Sequence, residues 1–198
     1  MSRRMRARHG IGRDLLKGAV AGAVATYVMG RVTSYLYEHE DREARHAEDQ
    51  ARGGRTAYEV AAEKVASTAG TSLEPRRRRE LGSAIHWAMG IGAGAAYAVL
   101  RRRVQGLGSA AGTAFGTGFW AFLDEGLVPA LGLTPGPRAF PWQTHARGFV
   151  GHLTFGTVTD GTLRLLDRVA CAEEASWPSA TSPTTPSGGE GSPRSNTR

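Results

Sequence analysis

The chain alternates between long uncharged stretches and short, strongly charged ones. Residues 81–100 (LGSAIHWAMGIGAGAAYAVL) and 104–123 (VQGLGSAAGTAFGTGFWAFL) each run twenty positions without Asp, Glu, Lys or Arg. Twenty apolar or small residues are about what one helix needs to cross the hydrocarbon core of a bilayer. A weaker stretch covers 18–37 and is interrupted by Arg31. An arginine near the end of a span can snorkel to the headgroups, and a helix lying flat in the interface is the alternative for the same residues. A fourth stretch, 146–166, contains Arg147, His152 and Asp160 and is the most polar of the set. The pattern predicts an all-α membrane protein with about four transmembrane helices.

The remaining segments are polar. Residues 1–17 form a basic leader, and no small-residue cleavage site follows it, so a cleavable signal peptide is not expected. Residues 38–80 carry mixed charge; within them 57–67 (AYEVAAEKVAS) sets Tyr58, Ala61, Ala62 and Val65 on one face of a short amphipathic helix. Only Arg101, Arg102, Arg103 and the start of the next stretch separate the second and third spans, which predicts a tight antiparallel hairpin within a three-helix membrane core over 81–166. Residues 172–198 are rich in Ser, Thr, Pro and Gly and are expected to be disordered.

Small residues recur every fourth position in each apolar stretch. The rows are Gly18, Gly22, Thr26, Gly30 and Ser34; Gly82, His86, Gly90, Gly94 and Ala98; Gly108, Gly112, Gly116, Trp120 and Asp124; and Gly148, His152, Gly156, Asp160 and Arg164. Four residues turn a helix by about 400°, so each row climbs one face with a slow drift. Rows of this kind let helix backbones approach closely in a membrane. In water, Gly inside a helix costs about 1 kcal/mol against Ala, and these rows lack the Leu and Ile layers that would offset it. Gly82, Gly90, Gly94, Gly108, Gly112, Gly116, Gly148 and Gly156 are therefore the expected packing positions.

Composition modifies this picture in two respects. Mean hydropathy is only −0.32, because the block 38–80 and the tail lower it. The net charge of +7 would suit nucleic acid, but the arginines abut the apolar stretches, as orienting flanks of membrane helices do. Nucleic acid is not an expected partner; the bilayer is, with a second copy of the chain as a further candidate. Placing the N-terminal arginines, Arg101, Arg102 and Arg103, and Arg164 with Arg168 in the cytoplasm leaves Arg76, Arg77, Arg78 and Arg79 on the opposite side, so an N-in, C-in arrangement is only weakly favoured. The single Cys171 excludes an internal disulfide and any cysteine-based metal cluster.

Ionisable residues lie in or next to these rows: His86, Asp124, Glu125, His145, Arg147, His152 and Asp160. Polar groups at membrane depth are costly and serve either as interhelical glue or as a proton or ion path. A metal site drawn from His86, Asp124, Glu125, His145 and His152 is a weaker alternative: His145 and His152 stand seven apart, and no close ligand pair exists. No metal or cofactor is expected. The segment Gly106-Leu-Gly108-Ser-Ala-Ala-Gly112 follows arginines rather than a strand and is no dinucleotide loop. No nucleophile lies beside a base in sequence, so no catalytic residue is assigned.

The ordered succession AYEVAAEKVA, LGSAIHWAMGIGAGAAYAVLRR, GFWAFLDEGLVPALGLTP and FPWQTHARGFVGHLTFG resembles the YagU-like family of bacterial inner-membrane proteins, a domain of unknown function. The resemblance covers residues 56–166. It is carried by the pair His86-Trp87, by Asp124-Glu125 with Pro129 and Leu131-Gly132-Leu133, and by His145, Arg147 and Gly151-His152. It implies an integral inner-membrane protein of about four helices and no established activity. The expected role is a structural or interaction protein assembling through its Gly-rich helix faces; the alternative is a small transporter or proton-responsive membrane protein using the intramembrane His, Asp and Glu.

Overall fold

A computed structural model describes the backbone of residues 3–102 and 110–176, and the side chains of 10–102 and 110–172. The described residues are helical, with no strand among them. The long helices are α1 (Arg3–Glu38), α4 (Pro75–Leu100), α5 (Ala111–Phe122) and α7 (Trp142–Ser176). Two short helices, α2 (Arg42–Arg52) and α3 (Ala57–Thr68), link α1 to α4, and a one-turn α6 (Val128–Ala130) follows α5. Gly108 and residues 177–198 lie outside the described residues.

Local sequence explains where the elements start and stop. The backbone of α2 ends at Gly53, which takes a left-handed φ of 59° and returns its N–H to the last turn. Thr56 and Glu59 form a reciprocal capping box at the start of α3, Thr56 accepting from Glu59 N–H at 3.2 Å and Glu59 from Thr56 N–H at 2.8 Å. Pro75 opens α4, where its missing N–H costs no helix bond. After Phe122 the helix widens into a π turn, Leu123–Leu127, in which Val128 N–H reaches back to Leu123 C=O. Pro129 lies four residues beyond Glu125 and can neither bond to its carbonyl nor pass it without a clash. The wider turn relieves that conflict.

The long helices run alternately up and down. Gly22 of α1 lies against Gly90 and Gly94 of α4; Gly112 and Gly116 of α5 lie against Gly156 and His152 of α7. A Cβ placed on Gly22 or on Gly94 would stand 2.5 Å from a backbone carbonyl oxygen of the facing helix, and on Gly112 2.6 Å. Gly92, Gly118 and Gly161, which fall off the four-residue rows, face open space. Row membership is not sufficient, however: Gly30 also faces open space, Gly82 approaches Glu59 of α3, and Gly148 approaches the side chains of Asp124 and Trp120. The expected hairpin of the second and third spans is not the closest pairing. The helices that lie closest are α1 with α4, α1 with α7 and α5 with α7, while Tyr97 and Phe115 join α4 to α5 through their rings, centroids 4.6 Å apart.

The interior is small and partly polar. Ala21, Ala25, Ala98, Tyr97, Phe155 and Leu163 are buried together with Thr26, His152, Thr159 and Asp160. Thr26 and Thr159 return their hydroxyls to the carbonyls of Gly22 and Phe155 at 2.7 Å. Larger apolar side chains face outward: Leu16, Val20, Val24 and Tyr27 on α1, Trp87 and Leu100 on α4, Phe122 after α5, and Val150, Leu165 and Val169 on α7. On α3 the expected buried face is partly wrong. Ala62 is buried, but Val65 is 67% exposed, because Glu59 takes the inner position in the capping box.

Two helices of the described chain are long and apolar enough to cross a membrane, Gly10–Glu38 and Pro75–Leu100. The described part of α5 has twelve residues, and α7 carries Arg147, Asp160 and Arg164 within its apolar stretch. The expectation of four spans thus reduces, on length and apolarity alone, to two.

Candidate functional site

At the end of the bundle formed by the C-terminus of α1 and the N-terminus of α7, helices α2 and α3 fold over the helix ends and enclose a cavity of about 610 Å³. Its wall includes His86, Asp124, Glu125, His145, Arg147 and His152. Six of the seven ionisable residues singled out in the sequence therefore meet around one space. Asp160 does not. It lies at the opposite end, accepting from Tyr97 O–H at 2.9 Å and Arg164 Nε–H at 2.6 Å, with Arg101 at 3.8 Å.

The π turn sets the acidic side of the cavity. Neighbouring residues in a regular helix point about 100° apart, yet Asp124 and Glu125 both address α7. Glu125 meets His145 Nδ1 at 2.6 Å, while His145 Nε2 lies 3.0 Å from the carbonyl of Pro137. The hydrogen bond to Glu125 and its charge raise the His145 pKa above its ordinary value. Asp124 Oδ2 lies 3.5 Å from His152 Nδ1, but that nitrogen is nearer the Gly148 carbonyl, at 3.0 Å. Among the described residues Asp124 has no hydrogen-bond donor. Beside it, the indole N–H of Trp120 is buried and has no partner.

The rest of the wall comes from the segment read in sequence as a charged loop. Arg147 pairs with Glu40 at 2.5 Å and with Glu48 of α2, and its guanidinium lies 4.9 Å from the centre of the Tyr37 ring. Glu48 also takes Thr144 O–H at 2.9 Å and Arg52 at 2.6 Å, which accounts for a buried carboxylate. Tyr37 donates to Asp49 at 3.2 Å. Tyr58 of α3 meets His86 edge to face, centroids 4.8 Å apart. Burial, helped by the charge of Asp124, pushes the Tyr58 phenol up to about 12. Sequence reasoning missed Tyr37, Glu48, Arg52 and Tyr58 as wall residues, and Glu40 as a partner of Arg147. The available signal was Arg147, an unpaired charge in an apolar stretch that must find carboxylates elsewhere in the chain.

Towards the middle of the bundle the cavity is closed. Phe119 packs on His152 and Phe155, with centroids 5.4 and 5.9 Å away, and Phe115 continues the stack to Tyr97. Beneath this end of the bundle lies a void of about 20 Å³, bordered by Met29, His86 and His152. Among the described residues no group of three or more His, Cys, Asp or Glu could hold a metal ion. The arrangement can hold a proton between His145 and Glu125 and can bind a polar solute at Asp124.

A family model described as a protein of unknown function (DUF1440) matches residues 63–161, half of the chain. The chain belongs to this family. The match takes in α4, α5, the π turn and most of α7, and thus the inner wall of the cavity; α2 and its Glu48 lie ahead of it. It falls within the stretch that carries the YagU-like resemblance, and that narrower name rests on the resemblance alone. No curated protein and no solved structure matches.

Proposed function

We propose that this chain is a multi-pass protein of a bacterial inner membrane whose bundle holds a one-ended binding cavity for a small solute. The observation that carries this reading is the inverted distribution of side chains. Ala, Thr, His152 and Asp160 share the interior with a few large side chains, Tyr97, Leu123, Phe155 and Leu163, while most of the large apolar side chains of α1, α4 and α7, such as Leu16, Val20, Val24, Trp87, Leu100, Val150, Leu165 and Val169, face out. Only 17% of the apolar window of α4 and 28% of that of α1 is buried, unlike the core helices of a soluble protein. The uncharged stretches also lie side by side: 18–30 of α1, 81–100 of α4, 111–123 of α5 and 148–159 of α7. Of the charges of α7 that argue against a span, Arg147 and Asp160 are turned inward and paired, Arg147 with Glu40 and Glu48 and Asp160 with Tyr97, while Arg164 is 45% exposed and reaches back to Asp160 near the end of the bundle.

The glycine rows bear on the choice between roles. Gly18, Gly22, Gly90, Gly94, Gly112, Gly116 and Gly156 are occupied by contacts within one chain. They are accordingly a means of closing the bundle, and assembly between copies draws no support from them. The cavity supports solute binding, and the aromatic stack beneath it favours binding over a continuous conduction path. A transporter remains the second reading, favoured by the meeting of Asp124, His152 and His86 at the inner end of the cavity.

Orientation follows from the bundle ends. Lys17, Arg101, Arg102, Arg164 and Arg168 gather at one end, the cytoplasmic one under the positive-inside tendency. At the other end Arg76, Arg77, Arg78 and Arg79 carry the opposing signal, and salt bridges to carboxylates occur at both ends and do not decide between them. The cavity then opens to the periplasm. In spheroplasts an impermeant maleimide should spare the exposed Cys171 and label Gly136→Cys in a Cys171→Ser background. Release of the chain by alkaline carbonate would remove the membrane reading; the reverse labelling would invert the topology.

A further inference from the structure

We infer that the cavity takes a small organic cation, an alkylammonium group, with Asp124 as its counter-charge. The inference rests on the proposed reading of the cavity as a binding site. It starts from the charges on the wall. Five carboxylates line the space (Glu38, Glu48, Asp49, Asp124 and Glu125) against two guanidiniums, Arg52 and Arg147. Both guanidiniums are already held by Glu48, and Arg147 by Glu40 as well. The excess is negative although the chain as a whole carries +7. An anionic ligand would meet repulsion here and find no free guanidinium.

Glu48 accepts from Thr144 and two arginines, Asp49 from Tyr37, and Glu125 faces His145. Of the other two, Glu38 is exposed at the rim and Asp124 lies beside Trp120 and His152 at the inner end. Among the described residues Asp124 receives no hydrogen bond, the ring nitrogen of His152 lying 3.5 Å away. The Asp124 side chain is 36% exposed, so a ligand in the cavity can reach it, and an N–H-bearing cation supplies the donors it lacks. The adjoining surface suits the organic part of such a ligand. Tyr58 and Trp120 line the cavity near Asp124, and aromatic faces attract alkylammonium groups. The volume, about 610 Å³, lies within the ordinary range for small-molecule sites. A neutral polar ligand would leave Asp124 uncompensated.

A free amine and the ammonium headgroup of a phospholipid share this chemistry. The test uses the full chain with Cys171→Ser and Thr134→Cys, a cavity-lining position, and follows labelling by a hydrophilic maleimide. Ethanolamine should slow labelling in detergent, acetate and ethylene glycol should not, and Asp124→Asn should weaken the ethanolamine effect at least tenfold at an unchanged melting temperature. In nanodiscs of phosphatidylglycerol, protection on adding phosphatidylethanolamine identifies a lipid headgroup as the source; protection by ethanolamine alone identifies a free solute. Protection that survives Asp124→Asn, or protection by acetate instead, overturns the inference. Should Asp124→Asn not fold, calorimetric titration of the unsubstituted chain decides, and the lack of a saturable signal with ethanolamine and with choline overturns the inference. A folded protein whose Thr134→Cys never reacts denies the open cavity itself, and so the reading beneath.

Discussion

Tyr97 of α4 donates its phenolic O–H to Asp160 of α7 at 2.9 Å, which ties the two helices at the end of the bundle opposite the cavity. Tyr97 is 3% exposed and stacks on Phe115 of α5, so this one side chain joins three helices. Asp160 keeps Arg164 and Arg101 when the phenol is removed. Tyr97→Phe should therefore cost about 1 kcal/mol, the ordinary net worth of a buried hydrogen bond. Tyr97→Ala should cost about 3–5 kcal/mol, since the ring's packing is lost as well. Thermal melting in detergent with each variant tests the difference.

The glycines separate into two groups that sequence spacing alone distinguishes only in part. Gly22→Ala puts a methyl 2.5 Å from the Gly90 carbonyl, and neither helix can yield without parting the pair. It should destabilise the protein by about 1–3 kcal/mol, as overpacking does. Gly92→Ala and Gly118→Ala point into open space and should leave stability unchanged or slightly raised. Equal melting temperatures for Gly22→Ala and Gly92→Ala would refute the close packing of α1 on α4.

Much of the cavity's inner wall was legible in the sequence because spacing along a helix is a local property. Asp124 and His152 lie on the four-residue rows, and the rows of α5 and α7 face each other, so the two residues meet. The start of α3 was equally open to reading, since Thr56 and Glu59 have the spacing of a capping box. The outer wall was not. The sequence of α2, REARHAEDQAR, has no apolar face to signal burial, and the helix docks through Glu48, whose partners Thr144 and Arg147 are about a hundred residues away. The π turn was also hidden: it reflects Pro129 acting on the turn before it, and it turns Glu125 as well as Asp124 towards α7.

The His145–Glu125 contact makes stability depend on pH with a definite sign. The pKa of His145 is raised in the folded protein by its hydrogen bond to Glu125. The contact therefore stabilises fully below the unfolded value, about 6.5, and its contribution fades as pH rises through the higher folded value. Glu125→Gln should lower the His145 pKa and remove this part of the pH dependence. An NMR titration of the imidazole in both proteins checks it, and an unshifted His145 in Glu125→Gln would contradict the assignment.

Arg147 holds the cover of the cavity in place. Its side chain is 9% exposed and bridges Glu40, just after α1, to Glu48 on α2, which is 3% exposed. Removing the guanidinium leaves Glu48 with Arg52, which lies on the same helix, and with the single hydroxyl of Thr144 as its remaining bond to α7. Arg147→Ala should destabilise the protein by about 3–5 kcal/mol, the usual penalty for breaking a buried pair from one side. Arg147→Lys should rescue little, because an ammonium cannot span two carboxylates as a fork does. The effect should also be local: with α2 released, trypsin should cut after Arg52 and Arg55 at least tenfold faster, while α4 and α7 stay protected. A variant equally resistant at Arg52 and Arg55 would mean that α2 is held by other contacts, and that the cavity's cover does not depend on this arginine.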